Sequence, residues 1–338
     1  MTELTISFAK LRELVSKFPA PSSPRGYKPF KEFFLESIYR SFSAPNWIEA
    51  SKNDVLAGSY NKILLDILQK RAPTYYVAKE LVGSACHTSA PTMETHEIPF
   101  NHLNVFTPNG LAMAVRVLPM FDESGGTKTE KMMNEFKELV SQKSLKYNAH
   151  DAKVMITALV FTKIPGHKCI RYCMDIIPPF GENKDILVCT PQLFDYGDNL
   201  NDEQIYSDMS AGDLARLIVN TLMLITYQPS LVNVEKSSTS GFGFNQNLSN
   251  EPMPVRWLGK GFCNSKAKAS AGGSETSLGG THASPRAHWR RGHWHGYRYG
   301  EGRKALRRKW VQPVYVSPSL LPQEDGAMPA SLQPIELY

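Results

Sequence analysis

The residues of this 338-residue sequence that are best suited to chemistry lie in residues 282–316, the basic segment. Four of the nine histidines of the chain fall in its first half, and nine Lys and Arg residues fall within it against a single acid, Glu301. The segment therefore carries +8, whereas the whole chain carries +6 and the remaining residues sum to −2. The positive field of the protein is confined to one stretch, which favours a polyanionic partner.

Aromatic residues alternate with the cations of the basic segment. A guanidinium group matches phosphate oxygens with paired hydrogen bonds and stacks on aromatic rings, and exposed aromatic rings stack on unpaired bases. This composition predicts that the segment binds the phosphate backbone of nucleic acid, with RNA favoured as the partner. The residues that we predict to make these contacts are Arg286, Arg290, Arg291, Arg298, Arg303, Trp289 and Trp294.

Two histidines of the segment leave a catalytic alternative open. Metal-independent cleavage of RNA needs a base for the 2′-hydroxyl, an acid for the leaving oxygen and cations for the charge on phosphorus. His288 and His293 fit the first two roles because imidazole titrates near neutral pH, and the arginines at 286, 290 and 291 fit the third. This alternative is an endoribonuclease of toxin or defence type. A second alternative is a non-enzymatic assembly or phage structural protein whose cations dock onto acidic protein.

The histidines also raise the question of a zinc site, which usually needs two close pairs of Cys or His ligands. The nearest cysteine, Cys263, lies well upstream and is unpaired, and the spacing of His293 and His295 is not that of a zinc finger. Residues 167–173 place one His and two Cys on one face of a strand, which half-burial of that strand explains. We therefore expect no metal and no cofactor.

Composition and length bound the class of protein. Apolar residues make up 42% and charged residues 21% of the chain, as in ordinary soluble globular proteins. No run of about 18 apolar residues is present, so we expect no membrane partner. The five cysteines are sparse and odd in number, and the N-terminus lacks the order of a secretory signal. We therefore expect a cytoplasmic protein.

The elements that must position the basic segment follow from periodicity. Helical spacing predicts one helix from Phe8 to the prolines after residue 18 and others over Lys28–Phe42, Val55–Gln69, Tyr75–Val82 and Thr129–Gln142. A further helix is predicted with Ser210 as its N-cap, Asp213 at its third position and the apolar residues Leu214–Ile225 as its body. Strands are predicted over 111–118, 154–163, 169–177, 185–189 and 309–316. Gly300-x-Gly302 precedes strand-like sequence, which is typical of a hairpin turn and not of a phosphate-binding loop.

One predicted strand also indicates how the sheet is covered. Met113, Val115 and Val117 form a wholly apolar face, which we expect to meet the core, whereas Arg116 interrupts the opposite face and predicts partial cover there.

These patterns predict an α+β protein with a helical N-terminal part, a small mixed or antiparallel sheet with two packed helices, and a basic C-terminal segment like a β-hairpin. The predicted organisation is a helical N-terminal region (1–86), an α+β core (87–227), a Ser/Gly-rich linker with one strand at Val255–Gly259 (228–281), the basic segment (282–316) and a proline-rich tail (317–338).

The last quarter of the chain contains motifs of distinctive sequence: GTHASPRAHWRRGHW (280–294), GEGR (300–303) and WVQPVYV (310–316), preceded by WLGKGF (257–262). With them the chain resembles a family of uncharacterised bacterial and phage- or plasmid-borne proteins that share this C-terminal signature. The resemblance implies a prokaryotic or mobile-element origin and implies no reaction. The signature has arginine where His295 stands, which argues against a catalytic role for His295.

Overall fold

The computed structural model describes residues 7–18, 23–27, 55–94, 97–98, 100–108, 111–119, 152–163, 169–180, 184–188, 192–193, 210–235, 253–262 and 288–316. Helices and strands are mixed in this part of the chain, so the predicted α+β class is confirmed. Its four α-helices are α1 (Phe8–Lys17), α2 (Val55–Lys70), α3 (Lys79–Cys86) and α4 (Ala211–Tyr227). Its strands are β1 (Thr74–Val77), β2 (His102–Phe106), β3 (Ala112–Pro119), β4 (Val154–Lys163), β5 (Cys169–Ile177), β6 (Leu187–Val188), β7 (Gln192–Leu193), β8 (Val232–Glu235), β9 (Val255–Leu258), β10 (His288–Arg290), β11 (His293–Tyr299), β12 (Ala305–Val311) and β13 (Val314–Val316).

Nine of these strands form one mixed sheet in the order β6-β5-β4-β3-β2-β1-β9-β8, with β7 also paired to β5. From β2 to β6, each strand is antiparallel to the next one in the chain. β1 is parallel to both of its neighbours, β2 and β9. The parallel pairing of β1 with β2 is possible because α3 crosses between them and returns the chain to the same edge.

Both faces of the sheet are covered, because successive side chains of a strand point to opposite sides. Met113, Val115 and Val117 of β3 lie in one buried cluster with residues of α3 and α4, as predicted. Ala112 and Ala114 lie in the second cluster, with residues of α1 and α2. The sheet is thus the middle layer between two pairs of helices.

A row of polar side chains crosses the second face where the sequence predicted only partial cover. The register places His102, Arg116, Thr157 and Asp175 side by side on β2 to β5. Thr157 Oγ1 donates to Asp175 Oδ1 at 2.6 Å, and His102 Nε2 lies 3.2 Å from Asp66 Oδ2 of α2. Burial lowers the pKa of Arg116, and the Asp66 carboxylate opposes that shift. This face therefore combines apolar cover with a line of polar groups.

Several predicted elements are confirmed. α1, α2 and β3 to β5 lie where the periodicity placed them, to within a residue or two. Ser210 is the N-cap of α4, and its side chain accepts a hydrogen bond of 3.1 Å from the backbone N–H of Asp213. The strand predicted at 255–259 is β9, and that predicted at 185–189 is reduced to the two residues of β6.

Two predictions were wrong. The first three residues of the predicted helix Tyr75–Val82 belong to β1, and the helix begins at Lys79. The sequence Thr-Tyr-Tyr-Val is rich in strand-forming residues and is buried on both faces, which overrides the helical spacing. The segment assigned to the linker also contains β8 (Val232–Glu235), which pairs with β9 at the end of the sheet. A strand partner remote in sequence stabilises both short elements.

The predicted helices Lys28–Phe42 and Thr129–Gln142 and the proline-rich tail lie outside the described residues. The division of the chain into regions at residues 86, 227, 281 and 316 stays a prediction.

Candidate nucleic-acid interface

Strands β11 and β12 form an antiparallel hairpin, residues 293–311, which we call the basic hairpin. Its register runs from His293 opposite Val311 to Tyr299 opposite Ala305. The turn between the strands has positive φ angles at Gly300 (79°), Gly302 (63°) and Arg303 (51°). Two of these three residues are glycine, which adopts positive φ without steric cost. The predicted hairpin turn and hairpin-like segment are thus confirmed.

The side chains of the basic hairpin alternate between two faces. Trp294, Arg308 and Trp310 lie on the inner face, toward the rest of the protein. The outer face carries aromatic rings along β11 and cations along β12. We define the outer face by five exposed side chains: His295, Tyr297, Tyr299, Arg307 and Lys309.

The two tryptophans of the inner face continue the hydrophobic core. The Trp294 and Trp310 rings stack with centroids 6.4 Å apart, and Trp310 stacks on Phe262 at 5.6 Å. Each indole N–H also has an acceptor, Asn220 Oδ1 at 2.8 Å for Trp294 and Thr88 Oγ1 at 3.1 Å for Trp310. Both polar atoms are therefore satisfied where the rings leave water.

Asn220 of α4 connects three elements through one amide. Its side chain is 1% exposed, and its Nδ2 donates to the carbonyl oxygens of Ala85 at 2.8 Å and Thr88 at 2.9 Å. Its Oδ1 accepts the hydrogen bond from the indole N–H of Trp294. The end of α3, the loop that follows it and the basic hairpin are thereby fixed to the same point of α4.

A buried ion pair is the second attachment of the inner face. The Arg308 guanidinium contacts Glu97 through both carboxylate oxygens, and the Tyr227 hydroxyl donates to Glu97 Oε1 at 2.6 Å. Burial raises the pKa of Glu97, but the hydrogen bonds from Arg308 and Tyr227 outweigh it, so the pKa lies below its ordinary value. Burial and the Glu97 acceptor raise the pKa of Tyr227 to about 12. Glu97 is therefore ionised and Tyr227 protonated at neutral pH.

Gly292 allows the chain before the hairpin to approach α3 closely. Its N–H donates to the His87 carbonyl at 3.2 Å, and its carbonyl accepts from the Ser89 N–H at 2.9 Å. A Cβ at this position would clash with Thr88 Oγ1 and lie 2.8 Å from Pro313 Cδ. The contact therefore requires glycine.

The residues predicted to bind nucleic acid fall into three groups. Arg290, Arg291, Arg298 and Arg303 are exposed, the first two just before the hairpin and the others on it. Trp294 is half-buried on the inner face, where its ring and N–H have the partners described above. Arg286 and the side chain of Trp289 lie outside the described residues.

The two histidines of the catalytic hypothesis lie in different strand pairs. His288 is in β10, opposite Val316 of β13, whereas His293 is in β11, opposite Val311 of β12. The side chain of His288 is outside the described part of the chain. The two histidines are thus close in sequence but lie in two separate two-stranded sheets.

Sequence reasoning missed the residues that position the hairpin. Asn220 is the one strongly polar side chain in the apolar run Leu217–Ile225, and such an isolated amide is a signal for a buried hydrogen-bond network. Glu97 carries no comparable signal. Tyr297 and Tyr299 alternate with Arg298, and their spacing of two residues could have placed both rings on one strand face.

Within the described ranges, no group of three or more His, Cys, Asp or Glu side chains could hold a metal ion. In the same ranges, no helix combines the length and apolar character needed to cross a bilayer. Cys86 and Cys173 are buried free thiols, and burial raises the pKa of both; for Cys86 it reaches about 12.

Comparison with known proteins gives one family. The model described as AcrVA2-like, anti-CRISPR type V subtype A2 family, matches residues 83–318. The matched range begins in α3 and contains α4 and the whole basic hairpin. No significant match was found among curated proteins or among solved structures.

Proposed function

Since the chain belongs to the AcrVA2-like anti-CRISPR family, we propose that it inhibits a type V CRISPR defence by binding nucleic acid through the basic hairpin and through Arg290 and Arg291, which directly precede it. Membership of a phage and mobile-element family agrees with the origin implied by the C-terminal signature. The proposed ligand is the phosphate backbone, and RNA is the favoured nucleic acid.

The observation that carries this proposal is the set of cations that the fold leaves exposed on the hairpin. Six Lys and Arg residues lie within 293–311 against one acid, Glu301. Of these six cations, only Arg308 forms an ion pair within the part of the chain that the structure describes, and this pair faces inward. The remaining five are exposed: Arg298, Arg303, Lys304, Arg307 and Lys309. Like charges held together repel each other, and phosphates would relieve that repulsion.

Both alternatives from the sequence make different predictions about the same surface. A ribonuclease with His288 and His293 as acid and base would cut RNA as well as bind it. An assembly protein would use the cations on acidic protein and would have no salt-dependent affinity for nucleic acid. The inward attachment of the hairpin and its exposed cations favour binding.

The experiment measures affinity of the full chain for an RNA oligonucleotide across a salt series. Each phosphate contact contributes about 0.7 to the slope of log affinity against log salt for single strands. Replacement of Arg290 and Arg291 by Ala should therefore weaken binding and flatten the slope by about 1.4. Lys153→Ala with Lys184→Ala is the matched control, because both lysines are exposed outside the hairpin and the net charge changes equally.

The cellular readout uses a bacterial strain whose type V CRISPR system targets a phage. Expression of the wild-type chain should restore plaques, and the Arg290→Ala/Arg291→Ala variant should restore fewer. Failure of the wild type to restore plaques would contradict inhibition. Affinity that does not change with salt would contradict binding through phosphates.

A further inference from the structure

We infer that the outer face of the basic hairpin stacks the unpaired bases of a nucleic acid, so that the protein prefers single strands to duplexes. This inference rests on the proposed phosphate binding and specifies the form of nucleic acid that the same surface takes.

The first observation is a line of rings along β11. The centroid of His295 lies 6.3 Å from that of Tyr297, and the Tyr297 centroid lies 6.5 Å from that of Tyr299. Tyr297 is 38% and Tyr299 49% exposed, and these are two of the three large hydrophobic side chains exposed in the described part of the chain. The third, Val234, lies far away in sequence on β8. Exposed aromatic rings in a row offer π faces to a ligand.

The spacing of the rings decides between duplex and single strand. Neighbouring centroids are 6.3 and 6.5 Å apart, about twice the rise of roughly 3.4 Å between bases of one strand in a duplex. Bases that remain stacked at the duplex rise cannot each meet a ring of this ladder, and paired bases present only their edges in the grooves. An unpaired strand can spread its bases to the spacing of the rings.

The second observation is the position of the cations. Lys309 lies directly opposite His295, and Arg307 lies directly opposite Tyr297. Opposed residues of an antiparallel pair point to the same face, with Cβ atoms roughly 5 Å apart. A base on the rings of β11 would therefore bring its phosphate toward the cations of β12. Rings beside a line of cations are the arrangement that binds single strands with little dependence on sequence.

The aromatic rings of the inner face differ from those of the outer face in being part of the core. Trp294 and Trp310 are also aromatic residues of the hairpin, but their rings pack on each other and on the core, and their N–H groups donate to Asn220 and Thr88. The tyrosines of the outer face have no such role in the core. Their substitution should therefore test binding without loss of the fold.

The test compares affinities of the full chain for four probes: single-stranded RNA, the same strand paired in a duplex, single-stranded DNA of the same sequence, and an abasic strand with phosphates but no bases. We expect both single strands with bases to bind more tightly than the duplex and the abasic strand. The double variant Tyr297→Ala/Tyr299→Ala should lose at least about 25-fold in affinity for the single strands, since each of the two bases stacked on an aromatic ring contributes about fivefold or more.

The salt slope should stay at its wild-type value in this variant, because no cation is removed. Tyr297→Phe/Tyr299→Phe keeps both rings and should restore affinity. Val234→Ala is the control for removal of an exposed apolar side chain elsewhere. A thermal unfolding curve like that of the wild type would show that each variant folds.

Equal affinity for the duplex and the single strand would overturn the inference, and so would wild-type affinity in the Tyr→Ala variant. Either result would leave phosphate binding intact as long as the salt dependence and the effect of the Arg290 and Arg291 changes remain. Absence of salt-dependent binding to all four probes would overturn the proposed function itself. Tighter binding of both single strands than of the duplex would support the inference, and a difference between RNA and DNA would then identify the sugar that the face prefers.

Discussion

Arg308 of the basic hairpin and Glu97 form a bidentate ion pair, with Nε 2.5 Å from Oε1 and Nη2 3.0 Å from Oε2. The side chain of Glu97 has no exposed surface and that of Arg308 is 9% exposed, so water cannot replace either partner. The two residues are 211 positions apart in sequence. Their contact, with the Trp294–Asn220 bond, holds the hairpin so that its other face remains open.

Arg308→Ala should destabilise the protein strongly, because it leaves a buried carboxylate without its counter-charge. Removal of one partner of such a pair costs roughly 3–5 kcal/mol. Arg307→Ala is the matched control: the neighbouring arginine is exposed on the outer face, and its loss should change stability by less than about 0.5 kcal/mol. Denaturant unfolding measures both. Equal stability of the two variants would show that the ion pair does not hold the hairpin.

The ion pair of Arg308 and Glu97 also predicts that the stability of the protein depends on pH. The pKa of Glu97 in the folded protein lies below its ordinary value of 4.5. A carboxyl whose folded pKa is depressed stabilises the fold above its unfolded pKa, and this contribution is lost as the pH falls through the folded pKa. The stability difference between wild type and Glu97→Gln should therefore be constant above about pH 5.5 and shrink below about pH 4.5. Melting temperatures over that range measure it; a difference that does not change with pH would refute the assignment.

Two glycines of the hairpin region should respond differently to alanine. Gly292→Ala places a Cβ against Thr88 and 2.8 Å from Pro313 Cδ, so the chain must shift away from α3. Overpacking of this kind costs about 1–3 kcal/mol. At Gly296 the nearest atom would be Leu306 Cδ1 at 3.6 Å, an ordinary contact, and Gly296→Ala should be nearly neutral. Thermal unfolding of the two variants decides; a neutral Gly292→Ala would contradict the close approach.

The elements that the sequence predicted well are those with local signals. α4 combines an N-cap at Ser210 with a long apolar run, and β3 shows alternation from Met113 to Val117. β1 was misassigned because its identity as a strand depends on parallel partners remote in the chain, β9 among them. Four residues of strand carry too little pattern to outweigh a helical spacing that continues into α3.

In the candidate site, too, features with local sequence signals could be predicted and features that depend on remote residues could not. The composition of the basic segment was enough to predict a hairpin and a positively charged surface. It could not show which face of the hairpin points inward, because Asn220, Glu97 and Thr88 decide that and lie more than 60 positions from their partners. For this reason the composition predicts Trp294 as a ligand-binding residue and does not single out Tyr297 and Tyr299.

The Trp294–Asn220 bond should be measurable as a coupling energy. Asn220→Ala removes an acceptor from the Trp294 N–H and leaves the carbonyls of Ala85 and Thr88 without their donor, at about 1–3 kcal/mol for each buried group. Trp294→Phe removes the indole donor together with part of the ring, and a double-mutant cycle cancels the packing loss that is the same with and without Asn220. The cycle should give a coupling of about 0.5–3 kcal/mol. Asn233→Ala, at an exposed position of β8, is the control. Additive effects would mean that the bond does not contribute to stability.

Incubation of the wild-type chain with RNA separates binding from cleavage. We expect RNA to remain intact in the presence of chelator from about pH 5 to 9, the range in which imidazoles titrate, because exposed cations bind phosphate without proton transfer. Under the same conditions a gel shift should show the complex. Cleavage with a bell-shaped pH profile, lost in both His288→Ala and His293→Ala while affinity is kept, would instead establish the metal-free ribonuclease. If the histidines only support the two strand pairs, the same substitutions should lower the melting temperature and the affinity together.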